Sequence, residues 1–354
     1  MTRPPPLARR SKTLTASLGL GEKLFASSEE RRFAEAIEAG LIEVEDGLLS
    51  AVAFADDIAN VTTRYLLEAG GKRIRPVLTL LTAQLGDGSN PAVITAAQAV
   101  EITHLASLYH DDVMDEAEMR RGVPSAQSVW GNSVAILTGD LLFARASKLV
   151  ASLGEEAIRL QADTFERLCL GQLHETVGPR ADEDPVAHYL RVLADKTGSL
   201  IAAAAQMGVI FSNAPKRFEA PVVAFGEKIG VAFQLIDDVI DLAEPDAETG
   251  KTPGTDLRSG VATLPLLFLR RAARTDQGAS DLLTRIERNV DVDGSDAELA
   301  AAIADLRAHA VTSETLDEAR RWADEAVAAL DPLPDGPVKL ALTKFAEAVV
   351  ERNA

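Results

Sequence analysis

The 354-residue chain carries 54 acidic against 36 basic side chains, a formal charge of −18 that argues against general nucleic-acid binding. Hydrophobic residues make up 47% and charged residues 25%, which excludes wholesale disorder and supplies a large core. The single cysteine, Cys169, excludes an intramolecular disulfide and a zinc site built on several thiolates, and fits a reducing, cytoplasmic setting.

Residues 1–28 hold Pro4, Pro5, Pro6 and the Arg9-Arg10 pair, without the apolar stretch and cleavage site of a secretion signal, and read as a flexible basic tail. From Glu29 onward apolar residues recur every three or four positions, alanine is abundant and alternating strand-like runs are missing. The expectation is an all-α fold. Glycine and proline breaks, from Gly70-Gly71 to Pro332–Pro337, divide this region into roughly ten helices and are too short and scattered for an inter-domain linker, so residues 29–354 read as one domain. The longest uncharged apolar stretch, Leu200 to Phe211, falls short of the ~20 residues a membrane span needs.

Among the acidic clusters, Asp56-Asp57 lacks a third acid one turn on and reads as surface charge. Asp111-Asp112-Val113-Met114-Asp115 is different, and Asp237-Asp238-Val239-Ile240-Asp241 repeats its spacing. On a helix, i and i+4 lie on one face, so Asp111 converges with Asp115 and Asp237 with Asp241. Such pairs repel by a few tenths of a kcal/mol (roughly) unless a cation lies between them. Both clusters follow apolar stretches, Leu105 to Tyr109 and Val231 to Ile236, so their carboxylates belong at the rim of a buried face. Oxygen ligands without thiolates favour Mg²⁺, which keeps several waters and bridges carboxylates to substrate phosphates. Near residue 289 a calcium-loop pattern begins with Asn289, Asp291, Asp293 and Gly294, but Ala300 takes the place of the bidentate acid; Ser295 and Glu298 instead form a capping box.

Cationic residues sit beside the chain breaks: Gly70-Gly71-Lys72-Arg73-Ile74-Arg75-Pro76, Arg120-Arg121-Gly122, Lys196-Thr197-Gly198 and Gly250-Lys251. Such positions suit side chains that reach a diphosphate, with Arg able to fork onto two oxygens. Taken in order with the two Asp clusters, the second within Phe233-Gln234-Leu235-Ile236-Asp237-Asp238, these motifs resemble a trans-isoprenyl diphosphate synthase of the polyprenyl type over roughly residues 35–354.

The resemblance implies a single all-α domain of antiparallel helices around a central cavity, usually a homodimer, with its two Asp motifs facing one another. It makes Asp111, Asp112 and Asp115 with Asp237, Asp238 and Asp241 the Mg²⁺ platform, holding about three ions in the substrate complex; Asp111, Asp115 and Asp237 are the foremost ligands. It places Lys72, Arg75, His104 and Arg121 around isopentenyl diphosphate, and Arg120, Lys196, Thr197, Gln234 and Lys251 around the allylic diphosphate; Lys196 joins the aspartates in catalysis. His110 is left as structural. The implied chemistry is ionisation of the allylic diphosphate, attack by the double bond of isopentenyl diphosphate and loss of a proton, in a cavity kept dry so that water does not quench the cation.

One turn before Asp111 lie Ala106 and Ser107, where bulky aromatics resemble the floor of short-chain enzymes. Thr103 and Ala99 continue the small row, so the expected product is long, roughly C35 to C50 at about one isoprene unit per helical turn. Phe143 and Phe165 are candidates for a deeper stop. The chain departs from the family pattern at Gly171-Gln172-Leu173-His174-Glu175, where acid and amide are exchanged. Competing readings are a shorter-chain synthase, the catalytic subunit of a heterodimeric synthase, and a terpene cyclase, the last disfavoured by Lys72, Arg75 and the second Asp motif.

Overall fold

The computed structural model describes residues 28–243, 253–290 and 295–351. All but the last residue of the N-terminal tail, Lys251, and the Asp291–Gly294 part of the calcium-like loop lie outside the described residues.

The described chain is helical, as its periodicity predicts. In order come α1 (Ser28–Ala51), α2 (Asp57–Glu68), α3 (Ile74–Ala83), α4 (Pro91–Met114), the ribbon strands β1 (Met119–Arg120) and β2 (Val123–Pro124), α5 (Ala126–Trp130), α6 (Asn132–Leu153), α7 (Glu155–Val177) and α8 (Pro185–Leu193). A π turn over Ala194–Gly198 leads into α9 (Ser199–Phe211), followed by α10 (Glu219–Asp241), α11 (Thr255–Arg258), α12 (Leu264–Ala272), α13 (Gln277–Val290), α14 (Asp296–Ala308), α15 (Ala310–Ala329) and α16 (Pro337–Glu351). No described helix is long and apolar enough to cross a membrane.

Local chemistry sets the helix starts. Asn90 accepts from the backbone N–H of Ala92 and Val93 and is followed by Pro91, whose missing N–H costs nothing at that position. Asp56 caps α2 through Ala59 N–H, Asp184 caps α8 through Ala187 N–H, and Ser295 caps α14 through Glu298 N–H. The Asp56-Asp57 pair thus has a local role, one acid as cap and the other in the first turn, where the helix dipole favours it.

Packing divides the chain into two compact units. The first comprises residues 28–165, 200–223 and 330–344. α4 is buried on most of its circumference from Val93 to Ser107, as expected of a helix apolar all round. Here α3 and α9 approach closely: Thr79 and Thr82 donate to the carbonyls of Ala204 and Ala205 at 2.9 and 2.8 Å. A Cβ on Gly208 would fall 2.1 Å from the Thr82 hydroxyl, so only glycine permits this contact. The second unit comprises residues 166–199, 224–329 and 345–351 of the described chain. Its core gathers Val231, Leu235 and Ile236 with Leu264, Leu269, Leu299, Ile303 and Leu306.

Candidate active site

Each Asp row ends a long helix. Asp111 and Asp112 lie in the last turn of α4 and Asp115 is its C-cap; Asp237, Asp238 and Asp241 lie in the last turn of α10. Neither last turn holds a basic residue. A helix C-terminus carries about half a negative charge, so three carboxylates there are disfavoured twice, by the dipole and by one another. The position makes sense where a cation is bound.

The structure divides the six acids. Asp112 is fully buried and accepts from Arg120 Nε at 2.6 Å. Burial pushes its carboxyl up, and the Arg120 guanidinium opposes the rise. Asp238, 1% exposed, accepts from the Tyr189 hydroxyl at 2.7 Å and Leu264 N–H at 3.4 Å. Burial outweighs these bonds and holds it well above the usual carboxylate range. Asp241, 5% exposed, accepts from Asp256 N–H at 3.0 Å, while its carbonyl takes Gly254 N–H at 2.7 Å, so it tethers the start of α11. Asp111 and Asp237 are half-buried and Asp115 is exposed.

These groups fit a hard divalent ion. The donors are carboxylate oxygens, and Asp112 Oδ2 and Asp238 Oδ1 are buried without a hydrogen-bond partner. Among the described residues no three acidic, His or Cys side chains enclose an ion by themselves. Mg²⁺ does not require it, since waters and substrate phosphates complete its coordination.

A cationic cluster forms in the first unit. Arg73, the N-cap of α3, adopts a left-handed conformation (φ 51°) and is buried, its guanidinium held by Glu45, Glu101 and the Leu67 carbonyl. Arg75 Nε is buried without a partner, and burial together with Arg121 lowers its pKa to about 10 against the pull of Glu101 and Asp111. Arg121 and Gly122 link β1 to β2 with φ 54° and 76°, a two-residue turn whose twist suits a hairpin. That turn leaves Arg120 on Asp112 and Arg121 donating to Leu66 O at 2.8 Å. Both guanidiniums pack directly over Gly71, where a Cβ would lie 2.6 Å from Arg73 Nη1 and 3.0 Å from Arg121 Nη2.

His104 completes the cluster. Burial and then Arg75, Arg121, Arg73 and Arg120 push its pKa well below the usual imidazole value, so it is neutral and can accept as well as donate. Lys72 is exposed in the segment just before. The guanidiniums of Arg75 and Arg121 beside a neutral imidazole make an anion site, whereas Arg73, grouped in the sequence with the cations that reach a diphosphate, is tied to two glutamates instead. Its neighbours Gly71 and Lys72 gave no sign of that difference.

In the second unit Lys196 sits in the π turn and donates from Nζ to Glu175. Thr197 and Gln234 are half-buried. The Glu175 contact was legible only as an exchange of acid and amide in the α7 sequence.

The small row on α4 is buried. Ala106 is fully enclosed, Ser107 donates to the His104 carbonyl at 2.9 Å and Thr103 to the Ala99 carbonyl at 2.8 Å, so these hydroxyls are satisfied on their own helix. About 12 to 18 Å along the helix from Asp111, Thr103 and Ala99 border a cavity shared with Val150, Gln161, Leu200 and Met207. Phe143 and Phe165 pack against each other, centroids 3.7 Å apart, and do not line it. His110 bonds the Ile136 carbonyl at 3.1 Å and lies close against Gly139.

Comparison with known proteins agrees with this chemistry. Residues 56–303 match the family model described as Polyprenyl synthetase. The chain is 42% identical over 346 residues to a nonaprenyl diphosphate synthase of Mycobacterium tuberculosis, covering 98% of this chain and 99% of that protein. It is 35% identical over 295 residues to heptaprenyl diphosphate synthase component 2 of Geobacillus stearothermophilus, covering 83% and 90%. Its fold matches a polyprenyl synthase of Caulobacter crescentus, solved with calcium and isoprenyl diphosphate, with a TM-score of 0.81 at 31% identity over 93% of this chain and 100% of that one. With its helices in the all-α isoprenoid synthase fold, the chain belongs to the polyprenyl synthetase family and is a prenyltransferase, a long-chain trans-polyprenyl diphosphate synthase.

Proposed function

We propose that the two Asp rows hold Mg²⁺ and that the cationic residues divide between two diphosphates, so that isopentenyl diphosphate is added repeatedly to an allylic primer. The observation that carries this reading is the placement of both rows at the negative ends of long helices that offer them no basic residue. Asp111, Asp115 and Asp237 are the outer ligands. Asp112, Asp238 and Asp241 complete the platform from within: they also hold Arg120, Tyr189 and the start of α11, while one oxygen each of Asp112 and Asp238 keeps no hydrogen-bond partner. Bound Mg²⁺ supplies Lewis-acid neutralisation of the diphosphate charge.

Arg75, His104, Arg121 and Lys72 bind isopentenyl diphosphate, and Lys196, Thr197, Gln234, Arg120 and Lys251 the allylic diphosphate. Lys196 and Arg120 donate to the diphosphate oxygens as charge gathers on them during cleavage of the C–O bond. The electron pair leaves with the diphosphate, the double bond of isopentenyl diphosphate attacks the allylic cation, and the released diphosphate takes the proton. Neutral His104 contributes no charge of its own and can donate to a phosphate oxygen without competing with Arg75. The tail follows the row Ser107, Thr103, Ala99 beneath Asp111.

The test is to incubate the pure protein with Mg²⁺, labelled isopentenyl diphosphate and C10, C15 or C20 primers, then size the dephosphorylated products. Products of C35–C50 are expected, in line with the long-chain class. A second reading is favoured by the relative named as component 2 of its enzyme: the chain would then be the catalytic subunit of a two-part synthase. Activity of the chain alone, as a homodimer by light scattering, supports the first reading; activity only with a second polypeptide supports the other.

A further inference from the structure

Three residues spaced four apart on α7, Arg167, Gly171 and Glu175, form one row on that helix and meet the π turn that carries Lys196. Arg167 donates from Nε to Asp195 Oδ1 at 2.9 Å and from Nη1 to Glu227 of α10. At Gly171 a Cβ would fall 2.6 Å from the Lys196 nitrogen and 3.0 Å from its Cα, so only glycine lets α7 approach the turn this closely. Glu175 takes the Lys196 ammonium, the two side chains being 25% and 22% exposed. On the far side of the turn, a Cβ on Gly198 would lie 2.9 Å from the Glu227 carbonyl. The turn is gripped from α7 and from α10.

A π turn carries one residue more than the α-helix it interrupts, so it redirects the side chains within it and persists only where its surroundings hold it. Holding it fixes the direction of Lys196. We propose that Arg167 and Glu175 are positioning residues which clamp the π turn, through Asp195 and the Lys196 ammonium, and aim Lys196 at the allylic diphosphate; this rests on the reading of Lys196 given above. An ammonium has three donors, so the single Glu175 contact does not by itself exhaust its capacity.

Steady-state kinetics with a C15 allylic diphosphate and isopentenyl diphosphate test the clamp, using Glu175→Ala, Glu175→Gln, Arg167→Ala, Arg167→Lys, Lys196→Ala and the Glu175→Ala/Lys196→Ala double variant. Loss of one charge-assisted contact predicts an allylic KM raised about tenfold in Glu175→Ala and Arg167→Ala, with the isopentenyl diphosphate KM unchanged. Glu175→Gln, which still offers an acceptor, and Arg167→Lys recover most of the loss and keep the test open should an alanine variant fail to fold. The double variant is no worse than Lys196→Ala alone, because the two residues act as one unit. The clamp is overturned if Glu175→Ala leaves the allylic KM as it was, if both KM values rise together, or if the losses multiply in the double variant. A normal allylic KM in Lys196→Ala overturns the role of Lys196 itself, and the clamp with it.

Discussion

At neutral pH the imidazole of His104 carries no charge, because burial and four arginines all oppose its protonation. The unfolded chain takes up a proton at this residue near pH 6.5, about the ordinary value, whereas the folded chain does so only well below it. Unfolding therefore binds a proton in that window, and the stability His104 contributes above it is lost as pH falls through the depressed folded value. His104→Asn removes this dependence. The stability difference between wild type and variant should be flat above about pH 7 and change by up to about 1.4 kcal/mol per unit below about pH 6.5; denaturation curves that stay parallel down to pH 5.5 (roughly) contradict it. The acids separate by the same kind of measurement. Asp115 is exposed, so Asp115→Asn should lower kcat about a hundredfold and raise the Mg²⁺ requirement without moving Tm. Asp112 is fully buried on Arg120, so Asp112→Ala should cost stability as well, about 2 kcal/mol in urea unfolding. Equal Tm values for the two variants would erase the distinction between ligand and anchor. Spacing alone could not draw it, since both rows have one pattern and burial depends on partners distant in the chain, Arg120 for Asp112 and Tyr189 for Asp238.

On α4 the same helix that ends in carboxylates presents Ser107, Thr103 and Ala99 in one row, with a cavity beside the lower two. Ser107→Phe or Ala106→Tyr should shorten the product to about C15–C20 while condensation continues, at about one isoprene unit per turn. Reverse-phase sizing checks this, and an unchanged product length removes the row from the tail's path. The α3–α9 contact has no such freedom: Gly208→Ala puts a methyl 2.1 Å from the Thr82 hydroxyl and should cost about 1–3 kcal/mol, read as a lower Tm. Helix existence and the cap at Ser295 were legible because they are local chemistry; the cap at Asp56, which reads as surface charge, and those at Asn90 and Asp184 are just as local but show only once the helix starts are known. The π turn at Ala194–Gly198 was not legible. Its sequence reads as ordinary helix, and the groups that pack closest on it, Gly171 of α7 and Glu227 of α10, lie far from it in the chain. Phe143 and Phe165, candidates for a deeper stop, pack against each other at a 44° tilt and are not among the residues that line the cavity.

For the whole molecule, the net charge of −18 and the two acidic rows agree with an enzyme whose anionic substrates need metal ions and a concentrated set of arginines. The family was legible from the ordered motifs, because each pairs a backbone break with the charge its chemistry needs, as at Gly71-Lys72 and Lys196-Thr197-Gly198. The division into two compact units was not, since no stretch of Gly, Pro or polar residues marks it and the chain passes between them more than once. The direct test of the central claim is one product analysis. Purified protein with a C15 allylic diphosphate and labelled isopentenyl diphosphate should yield C35–C50 prenyl diphosphates with Mg²⁺ and none with EDTA. Products that stop at C20 or below (roughly), or undiminished condensation in EDTA, would contradict the account.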